Sequence, residues 1–153
     1  MLRIVAHTLE GTIGAMYELI VRYSGDARDF GWSTLQEVFR GVQGTRYVSD
    51  DDALSSMGVQ ADEFLKRPRL TYLFGGDCDD KTILAGAALH YLGIPLRIAT
   101  SSHRSDQVMD HVYLEVFVGG VWRPFDATYP GTRIFEETSY TDKLIWSASA
   151  IHT

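Results

Sequence analysis

The sequence holds one cysteine, Cys78, in the string Gly75-Gly76-Asp77-Cys78-Asp79-Asp80-Lys81. A lone cysteine cannot close an intramolecular disulfide or build a cysteine-rich zinc site. It is either a small buried hydrophobe or a reactive thiol. Three adjacent aspartates make simple core filling a poor explanation, because carboxylates are rarely fully buried. Asp77 reads as a helix N-cap, with Asp79 and Asp80 in a first turn where acids suit the dipole. A cysteine there meets unpaired backbone N–H groups and the positive end of the helix dipole. Both favour thiolate, and the same N–H groups can hold a developing oxyanion. The aspartates oppose this by like-charge repulsion, so a thiolate needs a cationic partner, most often histidine.

Two further residues answer that need. His111 opens an alternating segment, His111 to Val118, in which Val112, Leu114, Val116 and Val118 share one face. His111, Tyr113, Glu115 and Phe117 share the other. Gly119-Gly120 is a hairpin signal, with Val121 to Thr128 as the return strand. A two-residue turn pairs Val118 with Val121, Tyr113 with Asp126 and His111 with Thr128. His111 and Asp126 then become diagonal neighbours on one face, about 7–8 Å apart at the backbone. Asp126 could accept from one ring nitrogen and leave the other for the thiol. One more residue in the turn would flip Asp126 to the wrong face. The same register puts Arg123 on the valine face, where it fits poorly. Cys78, His111 and Asp126 are thus the candidate catalytic residues, for nucleophilic catalysis by the thiol.

The elements that must position them follow from periodicity. Thr12 to Tyr23 and Ser33 to Val42 carry helical apolar spacing, with Ser33 as the expected N-cap. Ser49 to Asp52 signals a turn or helix start, and a short helix is expected over Gln60 to Lys66, stopped by Pro68. Thr82 to Leu92 has a wide apolar face with small residues, closed by Gly93 and Pro95. Leu96 to Thr100 reads as a strand and Ser101 to Asp110 as a polar loop. Lys143 to Ser147 is an edge strand or a short docking segment, and the end beyond it reads as frayed. Helices first and strands later give an α+β fold with an antiparallel sheet.

Length and composition bound the rest. At 153 residues, with 45% hydrophobic and 22% charged residues, the chain is expected to form one globular domain spanning 1–153. A net charge of −6 and a pI near 5.2 argue against nucleic acid as a partner. No apolar stretch reaches the ~20 residues that span a bilayer, and the N-terminus lacks a secretory apolar core. The expected compartment is cytoplasmic. His7, His90, His103 and His152 show no metal spacing. Asp77 to Asp80 lacks the glycine and terminal glutamate of a calcium loop, and Gly75-Gly76 is not followed by the Gly-Lys-Ser/Thr of a phosphate loop. No metal or cofactor is expected. The tryptophans Trp32, Trp122 and Trp146 read as core or edge residues.

Gly76 to Lys81, Ala87 to Pro95, Asp110 to Val116 and Val121 to Thr128 together resemble the transglutaminase-like family of papain-fold thiol enzymes, over roughly residues 70 to 130. Arg46 to Asp50 is similar to the aromatic-plus-Asp segment found upstream in such domains. The Gly-Asp-Cys-Asp-Asp form looks most like bacterial and bacteriophage members. The resemblance implies Cys78 as nucleophile, His111 as general base and then acid, and Asp126 as its orienting residue. It implies a nucleophile at the start of a central helix packed on an antiparallel sheet. It also implies a thioester formed with a protein or peptide acyl donor and resolved by water or by an amine. Hydrolysis of a peptide or amide bond is the expected outcome. Transamidation of protein glutamine is the alternative, and a non-catalytic phage or bacterial assembly module is another, virion-associated if phage-encoded. The family usually supplies a second oxyanion donor from an upstream side chain. Trp32, Gln36, Tyr47 and Tyr72 all qualify.

Overall fold

The computed structural model describes residues 3–6, 9–49, 63–103 and 108–148. Its first helix, α1 (Leu9–Arg22), buries Ile13, Met16, Tyr17, Leu19 and Ile20 on one stripe. It begins three residues earlier than the apolar spacing suggests. A 3-10 helix, Ser24–Phe30, follows and ends at Gly31 in the left-handed conformation. Helix α2 (Leu35–Gln43) is capped by Thr34, whose side chain accepts from the Glu37 N–H. Ser33 is therefore not the cap. Its hydroxyl instead donates to Glu37 Oε1 at 2.9 Å, one residue outside the helix.

The expected helix over Gln60 to Lys66 is not formed where it is described. Glu63–Lys66 is a strand, β2, paired antiparallel with β1 (Arg3–Ala6). Residues 60–62 lie outside the described residues, as do Asp50, Asp51 and Asp52. Pro68 does not stop a helix; it opens α3 (Pro68–Phe74) at the first helical position. There its missing N–H would have had no intrahelical acceptor, and its fixed φ suits the helix.

Helix α4 (Cys78–Tyr91) is the centre of the molecule. Asp77 caps it with a reciprocal box: Asp77 accepts from the Asp80 N–H, and Asp80 accepts from the Asp77 N–H. Every residue from Asp80 to Leu89 is buried, because α1, α2, α3 and the sheet all pack against it. Close approach is possible because of small residues. A Cβ on Gly86 would sit 2.6 Å from Ile20.

The sheet has four antiparallel strands in the order β5-β4-β3-β6. These are β3 (Leu96–Ser102), β4 (His111–Val118), β5 (Val121–Phe125) and β6 (Asp142–Trp146). Val118 pairs with Val121 across Gly119 and Gly120, so the turn has two residues, as its sequence suggests. The ladder ends at Leu114 with Phe125, earlier than Thr128. Lys143 to Trp146 belongs to an edge strand beside β3. Ser147 falls after it, and residues 149–153 lie outside the described residues. Val112, Leu114 and Val116 enter the core with Ile98 and Phe125. Arg123, opposite Val116, stays exposed on the outer strand and lies over the Phe135 ring at 5.5 Å.

The other sheet face is buried as well. Glu115 takes Arg97 at 2.6 Å and Lys143 at 2.6 Å, Lys143 also binds Glu137, and Tyr113 donates to Glu137. Burial would raise the Glu115 carboxyl, but Lys143 and Arg97 hold it below the usual carboxylate range. Among the described residues, no helix is long and apolar enough to cross a membrane.

Candidate active site

The fold brings the three sequence candidates to one end of α4. Cys78 is the first residue of that helix, half-buried. His111 starts β4, and Asp126 follows the last residue of β5. Cys78 and His111 line one cavity of about 200 Å³, floored by Thr12, Ile13 and Met16 of α1.

The histidine side is anchored through Nε2 and both oxygens of Asp126. His111 Nε2 donates to Asp126 Oδ2 at 2.7 Å, with both side chains nearly enclosed. The other Asp126 oxygen accepts from the Thr128 hydroxyl at 2.7 Å and from its N–H at 3.3 Å. The imidazole lies between two near-parallel rings, Tyr113 at 5.3 Å and Tyr129 at 5.9 Å. Its plane and its Nε2 partner are therefore fixed, and among the described residues Nδ1 has no hydrogen-bond partner.

The cysteine side is different. Burial pushes the Cys78 thiol well above its ordinary value, and Asp79 and Asp77 push it further. Only the Val112 backbone, next to His111, pulls the other way. The sulfur lies 3.6 Å from Asp79 Oδ1, a contact a protonated thiol can donate to. These influences favour the protonated thiol. Thr82 ties the two sides together. Its hydroxyl contacts the Cys78 carbonyl at 2.7 Å and the Val112 carbonyl at 3.2 Å, so it joins the first turn of α4 to the start of β4.

The loop before Cys78 carries a fourth element. Gly76 donates to the Arg46 carbonyl at 3.0 Å, and Val48 donates to the Gly76 carbonyl at 3.0 Å. Gly75 has φ +86°, and a Cβ there would meet the Arg46 oxygen at 2.4 Å. This short parallel bridge sets Tyr47 beside the site. Tyr47 stacks on Tyr129 at 5.6 Å, and each phenol feels the Cys78 sulfur. Burial, and then Tyr129, Cys78 and Asp77, hold the Tyr47 hydroxyl protonated well above the ordinary phenol range. Of the four candidates for an upstream donor, Tyr47 is the one at the site. Trp32 and Tyr72 pack with Phe30 in a separate aromatic cluster, and Gln36 is exposed on α2.

Lys81 was not singled out by its sequence context. It is buried on α4, and its ammonium donates to the carbonyls of Thr45 at 2.7 Å and Thr128 at 3.1 Å. One charge thus holds both the loop bearing Tyr47 and the loop bearing Asp126. Burial lowers its pKa. A lysine on an otherwise apolar helix face was the available signal. Among the described residues, no group of three or more His, Cys, Asp or Glu is placed to hold a metal.

Residues 22–127 match the model of the transglutaminase-like superfamily. The chain belongs to that superfamily. The match covers more than half of the chain and spans α4 with Cys78, β4 with His111, and β5 with Asp126 just after it. Helices and a four-stranded antiparallel sheet around a central helix agree with that fold. The chain is also similar to the crystal structure of a candidate cysteine protease from Cytophaga hutchinsonii, at 17% identity and a TM-score of 0.43. That likeness covers 92% of this chain and 52% of the other, so the chain spans about half the length of that protein. No curated protein sequence matches the chain.

Proposed function

We propose that this chain is a thiol-dependent acyl-transfer enzyme acting on a peptide or amide bond through a Cys78 thioester. One observation carries the reading: a buried His111–Asp126 hydrogen bond of 2.7 Å beside the cavity that also holds the single cysteine. Nothing in packing alone calls for that pair there.

The chemistry starts from a neutral thiol. As the sulfur attacks the substrate carbonyl carbon, Nδ1 of His111 takes the thiol proton, and Asp126 stabilises the imidazolium through Nε2. The carbonyl oxygen becomes an oxyanion facing the Cys78 N–H at the helix start and the Tyr47 hydroxyl. The C–N bond then breaks, and the imidazolium gives its proton to the departing amine. Water enters second: His111 takes its proton, the oxygen attacks the thioester, and the sulfur leaves and is reprotonated. An amine in place of water gives transamidation by the same residues. The Gly76-Asp77-Cys78-Asp79-Asp80 string favours bacterial or bacteriophage relatives.

The test is turnover of a quenched peptide library, run beside incorporation of a fluorescent primary amine into a glutamine-containing protein. Wild type should cleave peptides and incorporate little amine. Cys78→Ala should do neither. Equal turnover by Cys78→Ala would end the proposal, and amine incorporation without cleavage would replace hydrolysis by transamidation.

A further inference from the structure

The cavity shared by Cys78 and His111 is about 200 Å³. That is small beside the ~300–1,000 Å³ of ordinary ligand sites, so it suits the reacting group alone. A second cleft of about 580 Å³ is lined by Gly75, in the loop that precedes Cys78, and by Thr45 and Arg46 of the segment that Gly76 is hydrogen-bonded to. Its walls are built rather than incidental. Trp32 lies flat on Gly41, where a Cβ would come within 2.2 Å of the indole. Phe30 and Tyr72 brace Trp32, with ring centroids 5.1 and 5.6 Å from it.

Two features point to an occupant. Tyr72, Leu73 and Phe74 are consecutive and 39%, 60% and 65% exposed, an apolar run left in solvent at the cleft. Arg40 and Arg46 also line it, and neither forms an ion pair among the described residues. The nearest acid on the Arg40 helix, Glu37, is committed to Ser33 and Thr34. Two cations in one cleft, with no ion pair among the described residues, run against a chain whose net charge is −6.

We propose that this cleft recognises the substrate chain beside the reacting bond and takes an aromatic or aliphatic residue adjacent to a carboxylate. The choice of a peptide rests on the acyl-transfer reading. The apolar residue packs on Trp32 and Tyr72, and the carboxylate meets Arg40 and Arg46, whose planar donors suit it.

The probes are fluorescein-labelled decapeptides with a central glutamine in an alanine–glycine background. Each carries either Phe-Glu or Phe-Lys, moved one to four residues to either side. Binding is measured by polarisation on the Cys78→Ala chain, where nothing is consumed. At one placement the Phe-Glu peptide should bind about tenfold tighter than its Phe-Lys counterpart, the scale of two partly exposed ion pairs. R40Q/R46Q should abolish the preference and R40E/R46E should reverse it, with thermal unfolding confirming that both variants are folded. Equal binding at every placement, no binding, or a preference that survives R40E/R46E would overturn the proposal. A preference that holds while wild type turns over no peptide would sink the acyl-transfer reading and leave the recognition site standing.

Discussion

The histidine half and the cysteine half of the site are built to different standards. Around His111 the anchoring bonds are complete: Nε2 meets Asp126, and the second Asp126 oxygen meets Thr128 twice. Two tyrosine rings hold the imidazole plane. Around Cys78 the sulfur is crowded by two carboxylates that disfavour its ionisation, against one backbone contact that favours it. The lesson is about timing. On the acyl-transfer reading proposed above, the base is preorganised before substrate arrives, whereas the nucleophile stays a thiol until attack. An enzyme with a preformed thiolate would show the reverse emphasis.

The largest expected effect comes from breaking the finished half. Asp126→Asn keeps the shape but removes the charge that stabilises an imidazolium on Nε2. Turnover should fall about 10³–10⁴-fold, as such replacements do in related triads. Alkylation of Cys78 by iodoacetamide should barely change, because the resting thiol does not depend on a charged histidine. A parallel collapse of alkylation would mean that the halves are already coupled at rest, and the comparison would fail.

The second effect tests what joins the halves. Lys81 rises from the nucleophile helix to the Thr45 and Thr128 carbonyls, behind Tyr47 and Asp126 respectively. Lys81→Met keeps much of the volume and leaves the buried Thr128 carbonyl and the partly buried Thr45 carbonyl without their donor. It should cost about 1–3 kcal/mol in urea unfolding. Because Tyr47 is displaced with its loop, kcat should fall more than KM rises. Lys81→Arg should restore part of both. A methionine variant of unchanged stability and kcat would show that the loops hold themselves.

The two halves also differed in how much of them could be read from sequence. Helix α4 announces itself locally through Asp77, Asp80 and the small apolar residues beyond, and the observed capping box is what that string encodes. Gly119-Gly120 fixed the hairpin turn, and with it the side of the sheet on which Asp126 meets His111. These signals act over a few residues. Tyr47 and Lys81 were harder, because their roles come from contacts between distant segments: a bridge from Tyr47 to Gly76, and an ammonium reaching Thr128. Strand β2 was misread for the same reason. Glu63–Lys66 takes its structure from β1, some sixty residues earlier, and Pro68 after it starts a helix rather than ending one. For the Cys78 thiol the string shows helix N–H groups that favour ionisation and aspartates that oppose it, and leaves the balance open. Burial, a property of the assembled core, decided against ionisation.

The smallest effect is also the sharpest measure of the cysteine half. Asp79→Asn removes a carboxylate 3.6 Å from the sulfur while keeping an acceptor in its place. Burial, Asp79 and Asp77 all raise the thiol pKa, in that order. Deleting the Asp79 charge therefore lowers it, while burial continues to oppose ionisation. Below the pKa, each unit of lowering raises the thiolate fraction tenfold, so the alkylation rate at pH 7 should increase about 3–10-fold. In wild type the rate should climb with pH past the free-thiol value of about 8.5 without levelling, and in Asp79→Asn the same curve should move to lower pH. A curve that stays in place would mean that burial alone holds the proton. A wild-type curve that levels well below 8.5 would mean a thiolate at rest, and the two halves would then be equally prepared.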